Sequence, residues 1–308
     1  MRPTIRAARA AATAALALVS AGALVGAAAG SGAAPPGPRP IDPALFQAGS
    51  CVAFLPTSAP KRLTVYIDVG HGGPDPGAVG TTAAGHSVHE AALTLSVALD
   101  ALPLLRRAGL RVVLSRTGSA AVARPLAGDL SGGVFTAQGD HRDLVARDVC
   151  ADRARADVLL GLYFDATASA AARGSLTLYD SDRPFWRASL RMAGLVEHDV
   201  VAALDALGAA VVDGGVHNDV GYGSAVTQAD RAYGHLVLLG PPKAGYLPTP
   251  TEMPGALIEP LYVTNPADAS LAASASGQHA IARGLAGAVE QYFRRGAASS
   301  RRDRRADR

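Results

Sequence analysis

The chain has 308 residues, 49% of them hydrophobic and 18% charged, which excludes a disordered chain and leaves room for one large domain or two small ones. Its net charge of +3 sits at the ends: Arg2, Arg6 and Arg9 open the chain, and seven arginines against two aspartates fill 294–308, so the stretch between is net acidic. The basic character is therefore no folded basic face, and nucleic acid is set aside as a partner.

Three arginines followed by the apolar, small-residue run Ala10 to Ala29 and A-x-A-like sites at Ala27 to Ala34 read as an export signal over 1–34. The run is mostly Ala and Gly, so cleavage is favoured over a membrane anchor, and no stable span is expected after signal removal. Five prolines in Pro35 to Pro43 make a stiff extended stretch, and 35–61 is taken as a Pro-rich linker and lead-in. Cys51 and Cys150 can bridge in an oxidising compartment, although two separate buried thiols fit the spacing as well.

From residue 62 strands and helices alternate. Leu63 to Asp68 is an apolar strand opening into a Gly-rich loop, and Ser87 to Arg107 is a helix with apolar residues at three and four, stopped by Gly109. Leu110 to Ser115 is a second strand, Asp140 to Arg155 a polar helix, and Val158 to Phe164 a continuous apolar strand suited to a sheet centre. Strands at Ser175 to Tyr179, His235 to Leu239 and Ala256 to Ile258 follow, with helices at Pro184 to Leu207 and Gln278 to Arg294. This order predicts a single α/β domain over 62–294, with a largely parallel or mixed sheet flanked by helices on both faces. The arginine-rich 295–308 reads as a basic disordered tail.

In such sheets ligands sit beyond the carboxyl ends of the strands, so polar residues directly after apolar runs carry weight. Three qualify: His71 within Asp68-Val-Gly-His-Gly-Gly73, Glu90 at the start of the next helix, and Glu259 ending Gly255-Ala-Leu-Ile-Glu. Ser87-x-x-Glu90 also fits a helix capping box, which would make Glu90 merely structural. Glu259 also fits a paired carboxylate under a loop. His141, His198 and His279 sit in helical or polar context and read as surface residues.

Several stretches, IDVGHGGPDPGAVG (Ile67 to Gly80), Glu90, VVLSRT (Val112 to Thr117), ADVLLGLYFDA (Ala156 to Ala166) and PGALIEPLYVTNPAD (Pro254 to Asp268), resemble in order the zinc-dependent N-acetylmuramoyl-L-alanine amidases of the amidase 3 type. The resemblance covers roughly 62–294. It implies His71 and Glu90 as zinc ligands, Glu259 as the general base, and Arg116 and Arg147 as contacts for the anionic stem peptide. Ion pairs with the acidic body explain the two arginines equally well.

The departure lies at the central strand. Where the family has a second histidine, this chain has Tyr163, and two residues on stands Asp165. The resemblance then leaves Asp165 as the third ligand and Tyr163 as a substrate contact, with one zinc per chain if that ligand is supplied. His86, His89, His217 and His235 remain alternatives. The function implied is an exported, secreted or wall-associated peptidoglycan hydrolase that cleaves the amide between N-acetylmuramic acid and L-alanine. The alternatives are a wall-binding or regulatory protein that has lost the metal, and a hydrolase of another amide or ester. The segment Asp180 to Pro254 is longer than a minimal domain needs and is expected to build a groove wall or lid.

Overall fold

In the computed structural model, residues 37–221 and 228–306 are described, with side chains to Arg295. They belong to one compact unit, Pro35–Arg308; the expected signal over 1–34 lies outside the described residues.

Twelve strands and six helices follow in chain order: β1 (Arg39–Pro40), β2 (Ser50–Phe54), β3 (Thr64–Val69), β4 (Val79–Thr81), β5 (Ser87–His89), α1 (Glu90–Arg107), β6 (Arg111–Arg116), β7 (Leu130–Ser131), β8 (Val134–Phe135), α2 (Ala137–Arg153), β9 (Val158–Leu162), β10 (Ser175–Tyr179), α3 (Trp186–Asp205), β11 (Asp213–Asn218), α4 (Gln228–Tyr233), β12 (Gly255–Glu259), α5 (Pro266–Ala273) and α6 (Ala275–Ala306). Eight strands form one mixed sheet in the order β1-β2-β6-β3-β9-β12-β10-β11. Its middle, β6, β3, β9 and β12, is parallel, while β10 runs antiparallel to β12 and parallel to β11.

The central strands are fully buried, as their continuous apolar runs require. Alternation sends Val65, Ile67, Leu160 and Ile258 to one face, where they meet apolar residues of α1, α3 and α6. Tyr66, Leu159 and Leu257 go to the other face, against Cys150 and Ala151 of α2 and the loop residues Leu238 and Leu239. On α1 the buried Leu93, Val97, Ala101, Leu102 and Leu105 recur at three and four, and Gly109, at φ +84, takes the left-handed turn that ends the helix.

Three expectations change, and the Cys51–Cys150 bridge is present. The sheet begins before residue 62: β1 lies inside the Pro-rich stretch, and β2 pairs with β6. Cys51 of β2 is disulfide-bonded to Cys150 of α2, which fastens this edge to the helix. His235 to Leu239 is a turn, not a strand; its Val237, Leu238 and Leu239 are buried by packing into the core instead of by sheet pairing. The backbone of α6 runs to Ala306, through most of the tail expected to be disordered.

Candidate active site

β3, β9 and β12 are neighbours and parallel, so their carboxyl ends deliver residues to one place. Parity puts Asp68, Tyr163 and Glu259 on the α2 face there. Tyr163 and Glu259 line a cavity of about 810 Å³ together with His71, Glu90 and Asp165, while Asp68 is fully buried. Its opposite wall includes Leu236, Val237 and Leu238, so the long 180–254 segment does wall the groove.

His71 follows β3 in the left-handed region, φ +60, a conformation that costs a non-glycine residue roughly 1–3 kcal/mol. Two contacts hold it. Its carbonyl accepts from Arg147 Nη2 at 2.7 Å, and its ring Nδ1 lies 2.6 Å from Asp75 Oδ2. The other ring nitrogen, Nε2, faces Glu90 Oε1 at 2.8 Å. Burial alone would depress the imidazole, but Glu90 and Asp75 outweigh it and push it up to about 10. For Asp75, the upward push of burial is overcome by His71 and the Gly77 N–H, and its carboxyl is lowered. Gly77 is required here: at φ +67, a Cβ would stand 2.7 Å from Glu90 Cβ and 2.8 Å from His71 Cδ2.

Glu90 is no capping residue. Ser87 lies in β5, α1 starts at Glu90, and its first turn has no side-chain cap. The carboxylate is instead buried, accepting from Phe164 N at 2.8 Å and Ala78 N at 2.9 Å.

Tyr163 follows β9 at its carboxyl end. Its hydroxyl donates to Asp68 Oδ2 at 2.7 Å, and its ring meets His71 edge-on at 5.2 Å between centroids. Burial, then the charge of Asp68, raise the phenol well above its ordinary range, so it stays protonated at neutral pH. Burial, followed by the nearby carboxylates of Asp165 and Glu90, raises the Glu259 carboxyl well above the usual range. The structure therefore brings His71 to Glu90, and Asp165 to Glu259, as two adjacent pairs. Among the described residues, one set of three ligating side chains has its donor atoms within 4.8 Å of one another, and it is Asp180, Asp219 and His235.

Arg116 and Arg147, expected as substrate contacts, are structural. Both are 1% exposed. Arg147 has all five N–H donors engaged, by Asp143 twice, Asp68, and the carbonyls of Val69 and His71. Arg116 holds the carbonyls of Val69, Gly70, Ala91 and Gly118. Together they clamp the His71 loop from behind, a role for which the residue's fixed fork of donors suits it. Of the alternative histidines, His86, His89 and His217 are exposed. His235 lies toward the other end of the sheet. His141, expected on the surface, is half-buried against Tyr246, whose carbonyl lies 2.9 Å from its Nε2.

The fold and site define an α/β protein with an imidazole and several carboxylates at the ends of adjacent parallel strands. Residues 65–291 match the family described as N-acetylmuramoyl-L-alanine amidase, and the chain belongs to that family. It is 25% identical over 249 residues to the N-acetylmuramoyl-L-alanine amidase AmiC of Neisseria meningitidis serogroup B (strain ATCC BAA-335 / MC58), an alignment covering 76% of this chain and 53% of that one. The chain thus spans about half the length of this curated relative. Among solved structures, the fold is similar to the catalytic domain of CwlV from Bacillus (Paenibacillus) polymyxa var. colistinus, with TM-score 0.51, 22% identity and coverage of 75% and 98% of the two chains. It is also similar to the CwlD amidase of Clostridioides difficile, solved in complex with the GerS lipoprotein, with TM-score 0.56, 19% identity and coverage of 75% and 98%. Among the described residues, no helix is long and apolar enough to cross a membrane.

Proposed function

We propose that this chain is an exported peptidoglycan hydrolase that cleaves the amide between N-acetylmuramic acid and the L-alanine of the stem peptide. The observation that carries this reading is the His71–Glu90 contact, braced by Asp75 and facing the Glu259–Asp165 pair across one cavity.

His71 and Glu90 offer an imidazole and a carboxylate to one divalent ion, while the ligating atoms of His71, Glu90 and Asp165 do not all lie within 4.8 Å of one another. A metal-binding histidine characteristically has its second nitrogen held by a carboxylate, as Asp75 holds His71. Glu90, Asp165 and Glu259 gather three carboxylates in the cavity, and its one lining arginine, Arg147, is fully engaged elsewhere. His71 and Glu90 would hold the zinc, with Asp165 brought in as third ligand by a shift of the strand end. When bound, zinc supplies Lewis acidity toward the scissile carbonyl and the attacking water.

The chain's own groups do the proton work. In its ionised form Glu259 accepts the proton of the attacking water and delivers it to the leaving amine of L-alanine. Asp165 positions Glu259. Leu178, Leu236 and Leu257 line the cavity beside the carboxylates and exclude bulk water from the reacting bond. Tyr163 presents a ring edge to the substrate side while its hydroxyl is tied to Asp68.

The Tyr163–Asp68 bond also favours a second reading, a wall-binding protein on the amidase fold, because it commits the third ligand position to structure. Purified peptidoglycan separates the two. The first reading expects release of new L-alanine amino groups, abolished in Glu259→Gln and His71→Ala. Binding to peptidoglycan without release would overturn it in favour of the second.

A further inference from the structure

Away from the cavity, β10 and β11 run parallel with Tyr179 opposite Asn218, so each strand is followed at the same level by an aspartate, Asp180 and Asp219. β10 is antiparallel to β12, with Leu176 opposite Glu259. Asp180 therefore lies four residues, about 13 Å at 3.3 Å per residue, along the sheet from the proposed general base. Asp180 is 2% exposed and Asp219 is fully buried.

Their four oxygens divide into two kinds. Asp180 Oδ1 accepts from Asp182 N at 2.6 Å, and Asp219 Oδ2 from Leu236 N at 2.9 Å. The other two turn to one point. Asp180 Oδ2 is buried and accepts no hydrogen bond, although His235 Nδ1 lies 2.8 Å away, off the hydrogen-bonding direction. Asp219 Oδ1 lies 3.4 Å from the same nitrogen. The neighbouring guanidinium of Arg183 gives Nη1 and Nη2 to the carbonyls of Gly240 and Thr251 instead.

We propose that Asp180, Asp219 and His235 form a second metal site, which takes a zinc-class divalent cation. Two carboxylates and one imidazole are a hard-to-borderline donor set suited to zinc. Bonds of 2.0–2.1 Å in a tetrahedron place donor atoms about 3.3 Å apart, close to the spacings of 2.8 and 3.4 Å already present. The outer groups are also in place. Backbone N–H groups fix each carboxylate, and the far ring nitrogen of His235 points toward Asp182 Oδ2 at 3.9 Å, on the exposed side. A protonated His235 shared by two aspartates is the competing account. It leaves Asp180 Oδ2 without a hydrogen bond, which a cation would satisfy.

The site is independent of the proposed catalytic zinc, and its role follows from position. It ties the ends of β10 and β11 to residue 235, and Leu236, Val237 and Leu238 next along are a wall of the cavity. The cation would fix that wall.

The full chain, stripped with EDTA and dialysed against Zn²⁺, tests this by elemental analysis. The expected result is one zinc per chain retained in a His71→Ala/Glu90→Gln double variant and lost in Asp219→Asn and in His235→Gln. Zinc held equally by Asp219→Asn, His235→Gln and the wild type overturns the site, as does a double variant holding none. A fall from two zincs in the wild type to one in the double variant supports the second site and bears on the catalytic reading as well. Because the cluster variants can unfold, Co²⁺ is also added to the double variant, whose own cluster is intact. A visible tetrahedral Co²⁺ spectrum at one equivalent is expected, and its absence overturns the proposal.

Discussion

The Tyr163 hydroxyl donates to Asp68 Oδ2 at 2.7 Å, while Asp68 Oδ1 accepts from Arg147 at 2.9 Å. Tyr163 is thus part of a buried network holding the His71 loop. Two substitutions separate the roles. Tyr163→Phe leaves Asp68 Oδ2 unpaired and should cost about 1–3 kcal/mol of stability with zinc content unchanged. Tyr163→His offers the cavity an imidazole and should tighten zinc binding at the His71–Glu90 pair by roughly tenfold or more. Calorimetric zinc titration of both variants in a His235→Gln background checks this, and no gain in Tyr163→His would sink the assignment of that pair as ligands.

Arg147 is the second test of what is structure and what is substrate contact. Arg147→Met leaves Asp68 and Asp143 as uncompensated buried charges, a loss of about 3–5 kcal/mol. Urea unfolding should show the free energy of unfolding fall by that amount. A loss below about 1 kcal/mol together with weaker peptidoglycan binding would restore the substrate role.

The Cys51–Cys150 bond closes a loop of sequence separation 99, for which chain entropy gives up to about 4.7 kcal/mol. It also holds β2, next to the sheet edge, against α2. Thermal melts with and without a phosphine reductant should differ by many degrees, and Cys51→Ala/Cys150→Ala should melt near the reduced wild type. An unchanged melt would mean that β2 and α2 hold together without it.

Much of the site is legible in the sequence because its residues sit at the ends of apolar runs: His71 after Thr64–Val69, Glu259 at the close of Gly255–Glu259. What was hidden has physical reasons. A short strand next to the sheet edge such as Ser50–Phe54 gives little pattern of its own and exists through pairing with β6 and β1. The run His235 to Leu239 reads as a strand because its residues are apolar, yet they are buried by packing from a turn, which apolar composition alone cannot distinguish. Asp180 and Asp219 are 39 positions apart and meet only through the register of β10 with β11, a strand of poor composition with two glycines. Arg116 and Arg147 look available in sequence, where nothing records that carbonyls and carboxylates already surround them.

Glu197 of α3 gives a pH test away from both proposed metal sites. It is 3% exposed, and its Oε2 accepts from the hydroxyls of Ser175 and Thr177. Burial raises the carboxyl to about 7, the two hydroxyls opposing and Asp213 adding to the rise. Between the ordinary value near 4.5 and about 7, the folded chain holds a proton that the unfolded chain has lost. Stability must then fall as pH rises through that window and level off above it, by at most a few kcal/mol at about 1.4 kcal/mol per unit. Glu197→Gln keeps an acceptor for the two hydroxyls and offers Asp213 a donor, with no proton to lose. Melting curves should coincide for wild type and Glu197→Gln near pH 4.5, and the variant should melt higher at pH 8. A variant less stable at both values would show that the carboxylate is favoured in its ionised form, contrary to the burial argument.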